Sequence, residues 1–160
     1  MICFSHIQAH ISYGIWIYGA TKKDNLIKIL KVQKQAIRYM LNLNYTESIR
    51  QYFRDLNLLT VFGLYILDCV LFVKCNQVNN HLDLHHYETR FKNKFQIQKH
   101  RLGLFEKKTG YMGNKLLNCV PSNIKKEEKL HLFKAKLKEF LIQLSPYSLE
   151  EFLNLSINVK

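Results

Sequence analysis

The sequence predicts an all-α fold: a compact, irregular bundle of five to seven helices, with a basic loop or arm near residues 79–110. Three observations carry that expectation. Only two prolines and six glycines interrupt 160 residues, which leaves long stretches free of helix breakers. Residues 22–43 and 125–144 repeat their apolar side chains at the helical period. Residues 61–76 are apolar nearly all round, as a central buried helix requires. The chain is 48% hydrophobic and 22% charged, enough for one domain with an ordinary core. A domain of this length hides roughly 70% of its unfolded surface.

Residues 1–21 read as an apolar helix or helix-turn ending near Gly19. Thr21 and Asp24 have capping-box spacing and open the clearest helix, 22–43. Its apolar face collects Leu26, Ile29, Leu30, Ile37, Met40 and Leu41, with Lys28, Lys31 and Arg38 opposite. Ser48 and Gln51 repeat the spacing and start a short helix to about Leu56. Residues 61–76 follow, with a strand as the alternative because β-branched and aromatic residues are frequent there. Periodicity fails from 79 to about 110. A helix from Gly110 to Cys119 is closed by Pro121. The helix of 125–144 places Leu130, Phe133, Leu137, Phe140, Leu141 and Leu144 on one side, and Pro146 stops it. Ser148 caps a last short turn. No internal repeat and no low-complexity segment is present.

Twenty-four basic against 12 acidic residues give a net charge of +12 and a pI near 9.6. A polyanionic partner fits that excess, nucleic acid first and an anionic membrane surface behind it. The charge is uneven: eight basic and three acidic residues in 22–60, eight and two in 87–115, none in 1–21. Two apolar stretches have the length of a membrane span. Residues 1–21 contain His6, Gln8, His10 and several small polar residues, and lack the basic start of a signal peptide. Residues 56–73 contain Asp68, and a carboxylate at the bilayer centre costs about 3 kcal/mol. Neither reads as a span or a targeting segment. The four cysteines, Cys3, Cys69, Cys75 and Cys119, share no C-x-x-C spacing, so an intracellular site, cytoplasmic or nuclear rather than secreted, is expected.

Catalytic chemistry is sparse. The four aspartates, Asp24, Asp55, Asp68 and Asp83, are not neighbours, and a two-metal site needs carboxylates that share metals about 4 Å apart. Glu127–Glu128 and Glu150–Glu151 each read as the acidic start of a helix, suited to the macrodipole. No nucleophile elbow, P-loop or dinucleotide fingerprint exists. His81, His85 and His86 form the one tempting metal cluster, but no cysteine partner lies close enough to complete a zinc site. No cofactor is expected. Tyr13, Trp16 and Tyr18, in an uncharged segment, read as core rather than as a base-stacking surface. Asp68, flanked by apolar residues, is expected to pair with an Arg or Lys such as Arg38 or Arg50.

Six short motifs, in order, resemble one family. His10-Ile11-Ser12-Tyr13-Gly14-Ile15 followed by Trp16 is similar to the H-x-S-Y-G-I-x-x-W segment beyond the catalytic domain of LINE-type (non-LTR) retrotransposon reverse transcriptases, those of jockey-like mobile elements of arthropods in particular. Val32-Gln33-Lys34-Gln35-Ala36-Ile37-Arg38 resembles L-Q-K-R-A-I-R. Leu58-Leu59-Thr60 with Leu64-Tyr65-Ile66-Leu67-Asp68 resembles I-L-T-x-x-x-L-Y-I-x-E. His85, Tyr87, Thr89 and Arg90 match H-x-Y-N-T-R, with Glu88 in place of Asn. Tyr111, Gly113, Asn118 and Pro121 match Y-x-G-x-x-x-x-N-x-x-P, and Phe133-Lys134 with Leu137-Lys138 matches F-K-x-x-L-K. The resemblance implies the post-palm, thumb-adjacent region of a transposable element's RNA-directed DNA polymerase, a fragment without the palm and its aspartate pair.

The expected function is therefore non-catalytic: binding template RNA or an RNA–DNA hybrid through phosphate contacts, without base readout. The expected contacts are Lys28, Lys31, Lys34 and Arg38 on one helix, and Arg90, Lys92, Lys94, Lys99 and Arg101 on the arm. The alternative is a basic helical module that docks on an acidic partner or on the polymerase palm. A membrane-surface role ranks below both, because the apolar face of the basic helix is needed for the core.

Overall fold

The computed structural model describes residues 7–21, 23–76, 95 and 97–155. Within them the fold is an all-α bundle, with no strand among the described residues. Two four-residue helices, α1 (Ala9–Ser12) and α2 (Ile15–Tyr18), lead to the long α3 (Lys23–Leu41). Then come α4 (Arg50–Asp55), α5 (Val61–Cys75), a 3-10 turn (Gly103–Lys107), α6 (Thr109–Cys119), α7 (Ser122–Lys125), α8 (Leu130–Leu144) and α9 (Leu149–Leu155).

The central helix is α5, as its all-round apolar sequence predicts, and it is not a strand. Val61 to Leu67, Cys69, Val70 and Val73 are all buried. It packs against α6 above all, and also against α8, α2 and α3. Each fully buried Leu, Ile or Phe here contributes roughly 1.5–3 kcal/mol of transfer free energy. Burial also pushes the Cys69 thiol up to about 12, so it is an inert, apolar group.

Glycine fixes two of the approaches to α5. A Cβ on Gly19 would lie 2.3 Å from the Tyr65 ring, and one on Gly113 would lie 2.6 Å from the Cys69 carbonyl oxygen. Both are places where only a missing side chain lets backbone meet its neighbour. Gly14, at φ +68°, makes the left-handed turn between α1 and α2. The Tyr18 hydroxyl bonds back to the Ile11 carbonyl across that turn.

Thr60 starts α5. Its hydroxyl accepts from Gly63 N–H (3.0 Å), a capping bond, and donates to the Pro146 carbonyl (2.7 Å). Gln33, buried in the stripe of α3 between Leu30 and Ile37, donates to the Leu59 carbonyl (2.8 Å) and accepts from Val61 N–H (3.0 Å). One side-chain amide thus replaces two backbone partners for the extended segment before α5.

Four sequence expectations need correction. The buried stripe of α3 runs Leu26, Leu30, Gln33, Ile37, and Met40 and Leu41 are exposed; the helix outruns the surface it packs on. The helix expected from Ser48 begins at Arg50, with Ile49 at its N-cap and no side-chain capping bond. The helix expected from 125 begins at Leu130, itself exposed. Glu127 and Glu128 therefore precede α8 instead of opening it, and Glu127 pairs with Lys136. The Ser148 cap holds: Ser148 Oγ accepts from Glu151 N–H at 3.0 Å, and Glu151 accepts from Tyr147 N–H at 2.8 Å.

Of the basic arm, residues 77–94 and 96 lie outside the described residues. Its described end is pinned: Asn118 accepts from Phe95 N–H (2.8 Å) and donates to the Phe95 carbonyl (3.0 Å), as a neighbouring strand would. The Lys125 ammonium in turn donates to the Asn118 carbonyl at 2.8 Å.

Candidate nucleic-acid interface

The candidate interface centres on α3, because its buried stripe obliges the opposite face to point to solvent. Lys28 and Lys31 are exposed there, with nothing else claiming their charge among the described ion pairs. Lys34 and Arg38, one and two turns further on, are half-buried. The Lys34 ammonium sits 3.8 Å from the centre of the Tyr147 ring, and the Arg50 guanidinium 4.4 Å from the same ring. Burial, then the fields of Arg38 and Arg50, hold the Lys34 pKa below its ordinary value. Arg38 donates to the Glu47 carbonyl (3.1 Å) and lies over the Tyr45 ring at 5.2 Å. Of the four lysines and arginines expected on this helix, two are free for phosphate and two also brace the fold.

On the arm, Lys99 and Arg101 are exposed, while Arg90, Lys92 and Lys94 lie outside the described residues, as do His81, His85 and His86. Among the described residues no cluster of three or more metal-binding side chains forms, and no helix is long and apolar enough to cross a membrane.

Two openings flank α3 and α4. The larger, about 650 Å³, is lined by Arg50, Arg54, Asp55 and Gln143. Its positive field is small: Arg50 is paired with Glu151 at 2.8 Å, and Asp55 offsets Arg54. The smaller groove, about 350 Å³, is formed by Gln35, Arg38, Tyr39, Asn42, Leu43 and Tyr45 at the C-terminal end of α3. Sequence reasoning missed it. Its signal was Tyr39, an aromatic residue two positions past Ile37 and therefore off the buried face. The lysines of α8 were also missed: Lys134 and Lys136 are exposed, outside both expected charge islands.

Two of the three aromatic residues of the N-terminal segment correct their expectation, while Tyr18 is half-buried against the core as expected. Tyr13 and Trp16 are exposed rather than core, and Trp16 stacks on Phe72 with centroids 6.1 Å apart. The segment is uncharged because it lies beside α5, but it is too short to bury every ring.

Asp68 is likewise not paired with Arg38 or Arg50, both of which are held elsewhere. Burial raises its carboxyl pKa, and the field of Lys134 opposes this only in part. The folded state therefore holds this proton more tightly than the unfolded chain. Stability is lost as pH rises from the ordinary carboxylate value through the raised one. Asp68→Asn is expected to leave the neutral-pH denaturation midpoint unchanged or higher, and to remove that part of the pH dependence. An unfolding free energy several kcal/mol lower at neutral pH would mean that the carboxylate is paired after all.

Compared with known proteins, the chain matches no family model, no curated protein and no solved structure.

Proposed function

We propose that the chain is a non-catalytic nucleic-acid-binding domain, the post-palm region of a LINE-type retrotransposon reverse transcriptase, holding template RNA or an RNA–DNA hybrid by phosphate contacts. The observation that carries the reading is the exposed pair Lys28 and Lys31, opposite the buried stripe of α3 in a chain of net charge +12. The motif residues that bear the resemblance are compatible with it. Gln33, Thr60, Gly113 and Asn118 all hold the fold together, which is compatible with a scaffold role for these motif positions.

The test is Lys28→Gln with Lys31→Gln. Because both side chains are exposed, the melting temperature should not move. Affinity for an RNA–DNA hybrid should fall at low salt, and the slope of log K on log salt should shrink by about 1.5 units, at 0.7–0.9 per phosphate. The loss should be the same for unrelated sequences. Unchanged affinity and slope would reject these contacts.

One observation favours a second reading. Tyr13, Ile17, Trp16 and Phe72 leave large apolar side chains exposed around α2 and α5, a surface suited to docking on another protein domain such as a polymerase palm. Association through that surface would show a shallow salt dependence.

A further inference from the structure

We propose that the groove at the C-terminal end of α3 is a stacking site for an unpaired base of single-stranded nucleic acid, with Tyr39 and Tyr45 as platforms and the Arg38 guanidinium beside them. The proposal rests on the nucleic-acid-binding reading and adds to it a preference for single strands.

Tyr39 is 85% and Tyr45 79% exposed. Two large aromatic rings so open to water, on one 350 Å³ groove, can meet a planar ligand at small desolvation cost. The third wall is cationic. Arg38 lies over the Tyr45 ring, and its Nε is buried without a hydrogen-bond partner among the described residues. The remaining walls carry the carboxamides of Gln35 and Asn42, which can donate to or accept from a base edge.

The groove is also held in shape. Asn42 takes a left-handed conformation, φ +51°, and Leu43 N–H bonds to the Arg38 carbonyl at 3.0 Å, closing the helix. Beyond it, Asn44 donates to the Glu47 carboxylate (3.2 Å), and Glu47 N–H to the Asn44 carbonyl (3.2 Å). The loop carrying Tyr45 is thereby tied at both ends, which lowers the ordering cost of binding.

Electrostatics says which part of a nucleotide belongs here. The C-terminal end of a helix carries partial negative charge, and the Glu47 carboxylate stands on the same loop, so the Arg38 charge is offset and the groove suits an uncharged base rather than a phosphate. Phosphates are better placed toward Lys31, seven residues and about 10 Å back along the axis from Arg38. A single strand laid along α3 would meet lysines first and the tyrosines last. A duplex cannot use the rings, because its bases are already stacked on one another.

The experiment compares a single-stranded RNA of about 12 nucleotides with an RNA–DNA hybrid of the same length and sequence, by fluorescence anisotropy at fixed salt. Tyr39→Ala with Tyr45→Ala should weaken single-strand binding at least fivefold, the lower end of what one or two lost stacks give. Hybrid binding and the salt slope should stay as in the unmodified chain. Tyr39→Phe with Tyr45→Phe should restore the single-strand affinity, since the ring and not the hydroxyl stacks. Tyr39→Ala alone, at the more exposed of the two rings, should show part of the loss with no change in melting temperature. Wild-type single-strand affinity in the double alanine variant would overturn the stacking site while leaving phosphate binding in place. Failure of the unmodified chain to bind either probe would overturn both, and the exposed tyrosines would then be left to a protein partner.

Discussion

Replacing Gly113 by valine should cost the protein about 3 kcal/mol of stability, the upper range for overpacking a tight contact. The new Cβ would stand 2.6 Å from the Cys69 carbonyl oxygen and 2.4 Å from a Val73 methyl group. The carbonyl belongs to the backbone of α5 and cannot swing aside, and Val73 is buried. The helices α5 and α6 would have to separate along the most extensive contact in the bundle, uncovering Leu116 and Leu117 as well. Gly110, in the same helix, is the internal control: a Cβ there meets nothing within 4 Å. Gly110→Ala should be neutral or stabilise by up to about 1 kcal/mol, by lowering the entropy of the unfolded chain. Urea unfolding midpoints of the two variants, at constant m-value, decide the matter. If Gly113→Val and Gly110→Ala behave alike, the close approach is not what holds α6 in place.

How much of this was legible in the sequence depended on the range of the interaction. Helix existence came from local periodicity, and it held for α3, α5, α6 and α8 because each has a stripe or an all-round apolar surface. The Ser148 cap was legible for the same reason, its partner Glu151 being three residues away. What failed was set by distant partners. Nothing near Gln33 says that it belongs in the core; it is there because Leu59 and Val61 need its amide. Met40 and Leu41 have the right period but stay exposed. Lys34 and Arg38 lie in the expected register, yet their charge is shared with Tyr147 and Tyr45, rings that no helical wheel of α3 could bring to them. The charge of a candidate interface can be counted from sequence. Which of those charges remains free is a property of tertiary packing.

The second large effect is expected at the segment between α4 and α5. Leu58 to Thr60, ahead of α5, is irregular and buried, so its peptide groups and the Val61 N–H must find partners. Gln33 supplies two of them, and the Thr60 hydroxyl ties the same segment to Pro146 and to the first turn of α5. Gln33→Leu keeps an apolar stem of similar bulk but leaves the Leu59 carbonyl and the Val61 N–H buried and unpaired, at about 1–3 kcal/mol each. A net loss of about 2–4 kcal/mol should result, after the gain from the added apolar side chain. Thr60→Val, nearly isosteric, strips the cap from Gly63 and the partner from Pro146, for about 2–3 kcal/mol, and Thr60→Ser should recover most of it. The two losses should not add. Once either anchor is gone the segment can shift toward water and re-satisfy its own groups, so the double variant should be more stable than the sum predicts, by about 0.5 kcal/mol or more. Thermal or urea unfolding of the four species measures that coupling directly. Single losses under about 0.5 kcal/mol, combining additively, would show that water reaches this segment and that neither anchor is needed to start α5 where it does.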